Sequence, residues 1–258
     1  MNKVVVITGT TSGIGKELKN RYTKDQDIVV EINKEGEFDN KTKFYADLSN
    51  QKLIEEAFDN IAKVYNQIDV LINCAGYAVF GATELIETDK VRNMFEVDYF
   101  AVVNCTKCAL KLMKKGGKIF NISSACALFS VPFRGHYSAV KAGVMMLSYA
   151  LRMELKDSGI DVVCICPGDI KTNFSKNRDK TLDTNERYKD RIKNSSDQIE
   201  KREKKRMDVH YAVNKMYKIF KKKRHKPMYI IGKQMKFLYF VSKFVPVSTI
   251  LHFTNEKL

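Results

Sequence analysis

Six cysteines among 258 residues are too few and too scattered for a disulfide framework. Cys105 and Cys108 have ligand-like spacing but fall in a helical pattern, with no second Cys/His pair to complete a zinc site. Cys164 and Cys166 alternate along an apolar strand, so all six read as reduced packing residues. His136, His210, His225 and His252 are scattered, and no metal constellation forms. No Pro/Gly/Ser-rich linker divides the chain, and a single α/β domain over 1–258 is expected. The N-terminus runs straight into strand sequence with no apolar h-region or cleavage site, the pattern of a cytoplasmic protein. Helix-turn-helix and aromatic-basic RNA signatures are missing too, so nucleic acid is not an expected partner.

What the sequence holds in excess is positive charge, a net +15. Lys171 to Lys236 contain 22 Lys/Arg against 8 Asp/Glu, which is almost the whole surplus. A neutral core with a cationic last third points to a localised partner, peripheral association with an anionic membrane surface, against the plainer reading of a solvated helix face. The tail from Phe237 to Phe253 is apolar but carries Lys243 and Pro246, and it is marginal for a spanning helix. With the Lys221–Lys226 cluster it reads as an interfacial anchor, or as a cover packed on a pocket or a neighbouring subunit.

Strand and helix patterns alternate through the first two thirds. Val4–Thr8, Ile28–Ile32, Phe44–Leu48, Asp69–Asn73, Lys118–Ser123 and Asp161–Cys166 read as strands. The stretches to Tyr22, Leu53–Tyr65, Val91–Lys115 and Tyr137–Leu155 have helical spacing. Such alternation marks βαβ units, and the expected fold is a doubly wound, Rossmann-like parallel α/β sheet with a C-terminal helical, basic extension and a ligand site at the carboxyl strand ends. Gly9, Asp47, Asn73, Ser124 and Pro167 lie at those ends.

Two local patterns carry chemistry. Thr8-Gly9-x-x-x-Gly13-Ile14-Gly15 follows a strand and opens a helix, a setting that can cradle phosphates, although the spacing differs from Gly-x-Gly-x-x-Gly. Tyr137 and Lys141 are four apart on a helical pattern, hence on one face. A phenol with a pKa near ~10 needs roughly 4 kcal/mol of phenolate stabilisation to work near neutrality, and a cation about 4 Å away contributes on that order before burial subtracts from it.

Taken in order, Thr8-Gly9-x-x-x-Gly13-Ile14-Gly15, Asp69 with Asn73-Cys74-Ala75-Gly76, Asn121-Ile-Ser-Ser124, Tyr137-x-x-x-Lys141 and Pro167-Gly168-x-x-x-Thr172 resemble the motifs of the classical short-chain dehydrogenase/reductases over about residues 3 to 174. The resemblance implies NAD(H) or NADP(H) as cofactor and interconversion of an alcohol and a carbonyl. It implies that Gly9, Ser12, Gly13, Ile14 and Gly15 hold the pyrophosphate, that Asp47 and Leu48 sit beside the adenine, and that Asn73, Ala75 and Gly76 flank the ribose. Pro167, Gly168, Ile170 and Thr172 would cover the carboxamide side. Ser124 would orient the substrate oxygen while hydride reaches the carbonyl carbon and Tyr137 gives a proton, with Lys141 lowering the tyrosine pKa. Residues 173–207 would form the substrate lid, a stretch that on composition alone is a solvated helix pair.

The chain departs from the family pattern at Cys74 and at Asp98, where asparagine is usual. An ionised Asp98 is expected to pair with Lys141 or its relay water and to alter the tyrosine pKa, with activity retained but shifted, which makes it a fourth catalytic candidate. Ile32 falls where NAD-preferring relatives carry an acid, with Asn33 and Lys34 next and Glu31 expected to face away, so NADP(H) is favoured over NAD(H). Phe129, Phe133 and Phe174 are the expected walls of an apolar pocket for a lipophilic ketone, aldehyde or acyl-derived substrate, with core packing as the competing reading. A homo-oligomer is expected from the family. A redox sensor without turnover and a membrane-surface protein on the same scaffold remain the alternatives.

Overall fold

The computed structural model describes residues 2–172, 179–201 and 206–256. In chain order its elements are β1 (Val4–Thr8), α1 (Gly13–Lys24), β2 (Ile28–Asn33), β3 (Lys43–Tyr45), α2 (Gln51–Val64), β4 (Ile68–Asn73), β5 (Val79–Phe80), α3 (Thr88–Phe95), α4 (Ala101–Leu110), β6 (Met113–Ile122), α5 (Gly135–Glu154), β7 (Asp161–Pro167), β8 (Asp179–Lys180), α6 (Arg191–Lys201), α7 (Val209–Phe220), β9 (Met228–Ile231), α8 (Lys233–Val241) and α9 (Val247–Glu256). Seven strands form one parallel sheet in the order β3-β2-β1-β4-β6-β7-β9. The order reverses between β1 and β4, which opens a crevice beyond their carboxyl ends.

Strand periodicity splits the core into two layers. Val6 of β1 faces a cluster with Ile54, Phe58 and Ile61 of α2 and Ala101 and Cys105 of α4, whereas Val5 and Ile7 face Leu18 and Tyr22 of α1 and Met216 and Phe220 of α7. The helices meet these faces because their buried residues recur at helical spacing, Ile54, Ala57, Phe58 and Ile61 on α2 and Ala212, Val213, Met216, Tyr217 and Phe220 on α7. Both helices start from side-chain caps: Asn50 accepts from the N–H groups of Lys52 and Leu53, and Asp208 from that of Tyr211.

Several expected boundaries change. The third strand stops at Tyr45, because Asp47 turns back to accept from the Ser49 N–H and hydroxyl. The expected Val91–Lys115 helix begins at Thr88, passes through a π-helical turn at Glu96–Phe100 and ends at Leu110. Met113 to Lys115 already belong to β6, which is irregular where Gly116 takes φ of 93°. A seventh sheet strand, β9, pairs with β7 beyond the six expected. The apolar tail forms α8 and α9, and no helix among the described residues is long and apolar enough to cross a membrane.

Candidate active site

The glycine turn closes over the crevice through contacts that only glycine permits. Gly9 has φ of 73°, and a Cβ there would lie 2.7 Å from Ala75 Cα; at Gly15 it would lie 2.1 Å from the Gly9 carbonyl oxygen. Thr8 Oγ1 accepts from the Cys74 and Ala75 N–H groups and so locks the end of β1 to the end of β4. Ser12 caps α1 without a side-chain hydrogen bond, and the first turn carries no acid, so the helix N-terminus keeps its N–H donors for an anion. The cradle fits a dinucleotide pyrophosphate.

A cavity of about 310 Å³ runs from this turn to α5. Gly9, Ser12, Gly13, Ile14, Gly15, Ala75, Gly76, Ser124, Tyr137, Lys141, Pro167, Gly168, Ile170 and Thr172 all line it. A second, more apolar chamber of about 410 Å³ begins at Ser124 and continues between Phe129 and Val131 on one side and Leu238, Val241, Val245 and Ile250 of the α8–α9 hairpin on the other. Ser124, Cys126, Arg134, Pro167, Gly168, Asp169 and Arg206 line both spaces.

Helical spacing puts Tyr137 and Lys141 on the inner face of α5, where both are buried. Burial is the largest influence on Tyr137 and outweighs the nearby Lys141 ammonium and a hydrogen bond with Ser124, so the phenol is pushed up to about 12 rather than down. The Lys141 Nζ lies 2.8 Å from Asp98 Oδ2, with side-chain exposures of 6% and 0%, and 5.8 Å from the centre of the Tyr137 ring. Burial opposes the charge on Lys141, but Asp98 and Tyr137 more than offset it and its pKa stands above the ordinary lysine value. Burial likewise raises Asp98, against the pull of Lys141 and of the Tyr77 N–H, which donates to Oδ1 at 2.9 Å. The π-helical turn points the carboxylate inward under Gly76, where a Cβ would lie 2.7 Å from Oδ2.

Other expected positions lie elsewhere. Asn73 is buried outside the cavity and ties strands and helix together, donating to Asn121 Oδ1 at 2.8 Å and Thr106 Oγ1 at 3.3 Å; Asn121 in turn donates to Ser148. Asn33, the last residue of β2, spends its amide on Thr10, whose N–H and hydroxyl it meets at 2.8 Å. Ile32 is fully buried in the core, and Glu31 does not face away: it accepts from the Thr10 hydroxyl at 2.5 Å and pairs with Lys19 at 3.2 Å. Asp47 and Lys34 pair with each other at 2.7 Å, and Leu48 packs against the core. Phe133 packs with Phe80 and Tyr188 outside both spaces, while Phe129 lines the chamber and Phe174 lies outside the described residues. Sequence reasoning missed Arg134 and Arg206; Leu238, Val241 and Ile250 fall in the tail that it read as an anchor or as a cover on a pocket, and they line the chamber.

A doubly wound sheet with a glycine cradle at its crevice, and with Ser124 and the buried Tyr137 and Lys141 beside it, defines a nicotinamide-dependent oxidoreductase. The model of the short chain dehydrogenase family matches residues 3–183. The chain is 35% identical over 207 residues to a 3-ketodihydrosphingosine reductase of Bacteroides thetaiotaomicron, covering 78% of this chain and 77% of that protein. It is 35% identical over 196 residues to dehydrogenase/reductase SDR family member 7B of Rattus norvegicus, covering 68% of this chain and 60% of that one. A short-chain dehydrogenase structure from Streptomyces avermitilis superposes with a TM-score of 0.84 at 23% identity, over 95% of this chain and 93% of that one. Structures from Burkholderia phymatum with NAD and Burkholderia cenocepacia with NADP give TM-scores of 0.80 and 0.74 at 17% and 20% identity; they cover 94% of this chain in each case and 93% and 95% of those chains. The chain belongs to the short-chain dehydrogenase/reductase family.

Proposed function

We propose that the protein reduces a lipophilic ketone, aldehyde or acyl-derived substrate with NADP(H), using Tyr137 as general acid and base. The observation that carries this reading is the apolar chamber opening onto Ser124 and walled by the C-terminal helices. The relative named as a 3-ketodihydrosphingosine reductase supports the same direction. When bound, the nicotinamide supplies or takes up a hydride at the carbonyl carbon. Ser124 holds the substrate oxygen beside Tyr137. The phenol, kept protonated at neutral pH by its raised pKa, gives that oxygen its proton. Lys141, fixed by Asp98, keeps a positive charge close to the phenolate left behind.

Turnover across a series of ketones of increasing alkyl length, followed by cofactor absorbance, tests the reading. Specificity is expected to climb by up to about fourfold per buried methylene until the chamber is filled, and Leu238→Asp is expected to flatten the climb. A profile independent of chain length in the wild type would overturn it.

For the cofactor, the Glu31 carboxylate near the end of β2 is committed to Thr10 and Lys19, and Lys34 stands at the edge with Asp47 as its partner. A 2′-phosphate would draw Lys34 from that exposed pair. Lys34→Ala is therefore expected to narrow the preference for NADPH over NADH by roughly tenfold, the value of one charge-assisted phosphate contact. Competitive titration of the two reduced cofactors checks it, and an unchanged ratio would exclude Lys34 as the discriminator.

Of the proposed substrate lid, 173–207, residues 173–178 and 202–205 lie outside the described residues; Ile199 of α6 and Arg206 face the chamber, which supports that role. The outer face of α8–α9 exposes Phe237, Phe240, Phe244 and Val247 beside Lys233, Lys236 and Lys243, which supports peripheral contact with an anionic lipid surface. On α5, Met146 and Met153 are exposed seven residues apart on one face, which supports contact with a second copy there.

A further inference from the structure

Arg134 stands immediately before α5, three residues ahead of Tyr137, and lines both the cofactor cavity and the apolar chamber. Its backbone is engaged, with the N–H donating to the Val131 carbonyl and its own carbonyl accepting from the Ser138 N–H. Its guanidinium is not: Nε is buried and has no hydrogen-bond partner, and no carboxylate pairs with it among the described residues. A buried N–H left unmatched costs on the order of 1–3 kcal/mol, more on a charged group. Arg206 lies on the same rim, donating through Nη2 to the Ile199 carbonyl at 3.2 Å. Asp169, exposed, is the one carboxylate in the lining of either space among the described residues. Lys141, the other cation, is already matched by Asp98. At the junction between Ser124 and the apolar chamber, Arg134 therefore presents a planar, two-pronged donor left unmatched among the described residues, the geometry that suits a carboxylate or phosphate.

We propose that Arg134 is a specificity-determining residue that recognises an anionic group, phosphate or carboxylate, within a few bonds of the substrate carbonyl, so that the substrate is an anionic lipid ketone with its alkyl chain in the α8–α9 chamber. This deepens the carbonyl-reducing reading and rests on it.

The test is binding to the NADP⁺-loaded protein, measured by calorimetry, of dodecyl phosphate, dodecanoate and neutral dodecanol, all below their aggregation thresholds. The phosphate or the carboxylate is expected to bind at least about tenfold more tightly than the alcohol, and the two anions separate the two possible groups. Arg134→Gln is expected to erase the advantage and Arg134→Lys to restore part of it. In the wild type the advantage is expected to shrink as salt is added. Equal binding of charged and neutral ligands by the wild type, or an advantage that survives in Arg134→Gln, would overturn the proposal. Should Arg134→Gln not fold, Arg134→Lys decides alone, because an advantage left at its full wild-type size there excludes guanidinium recognition. Turnover separates this outcome from the parent reading: if a long-chain hydroxyketone and its phosphate monoester are both left unreduced, carbonyl reduction fails, whatever the binding shows.

Discussion

Tyr137→Phe is expected to lower kcat for ketone reduction by about 10³-fold, within the range that a positioned general acid supplies, while reduced cofactor still binds. The ring stays in its buried place on the inner face of α5 and only the hydroxyl is lost, so the fold has little reason to change. Wild-type reduction should be nearly independent of pH through neutrality, because the phenol stays protonated up to about 12. Alcohol oxidation, which needs the phenolate as base, should instead rise with pH over the whole range. Stopped-flow absorbance on both directions, with cofactor binding followed by fluorescence, checks the pair of statements. A phenylalanine variant within tenfold of wild type would remove Tyr137 from the reaction.

The second large effect is expected at Asp98. In Asp98→Asn the amide still accepts from the Tyr77 N–H, but the negative charge that helps raise Tyr137 and occupies Lys141 is gone. The rising limb of alcohol oxidation should move to lower pH, making oxidation at pH 7 about tenfold faster. Asp98→Ala tests the other half of the pair. It strands the Lys141 ammonium in the interior, a loss of about 3–5 kcal/mol and a fall in Tm on the order of 10 °C.

The pH window of that loss follows from the raised pKa of Lys141. Its stabilisation is complete below the ordinary lysine value of 10.5 and disappears as pH rises through the higher folded-state value. Asp98, also raised, works in the opposite sense at neutral pH, since its ionisation in the interior is a cost that Lys141 offsets. The difference in Tm between wild type and Asp98→Ala should therefore be largest near neutrality and close above pH 10.5. Thermal melts across that range decide it, and a difference that stays constant would mean that the loss is not linked to the charge on Lys141. Turnover of both variants separates position from charge, since a merely structural Asp98 would leave the pH profile where it is.

Strands and helices whose apolar residues recur at period 2 or 3.6 could be read directly, which is why β1, β4, β7, α2 and α5 match expectation closely. β9 escaped because four residues between Pro227 and Gly232, next to a lysine-rich run, show no period of their own; its place comes from the parallel ladder with β7. The π-helical turn escaped for a related reason: nothing in Glu96–Phe100 marks the extra residue, and only the buried pair with Lys141 shows why the helix widens there. In the site, spacing alone brought Tyr137 and Lys141 together, but the sign of the phenol's shift depended on burial, which spacing does not report. Asn73 looked like a ligand because it ends a strand; its amide turned out to be committed to Asn121 and Thr106. Arg134 carried no pattern, and its interest arises only where two separate hollows meet.

Gly232, with φ of 121°, turns the chain out of β9 directly into α8. The hairpin that walls the chamber thus departs from the sheet at one sharp bend, later in the chain than every described residue lining the neighbouring cavity. If that chamber takes the substrate, exchanging the segment after Gly232 would be expected to change which substrates fit, with Met235, which packs against Gly168, as the seam to preserve.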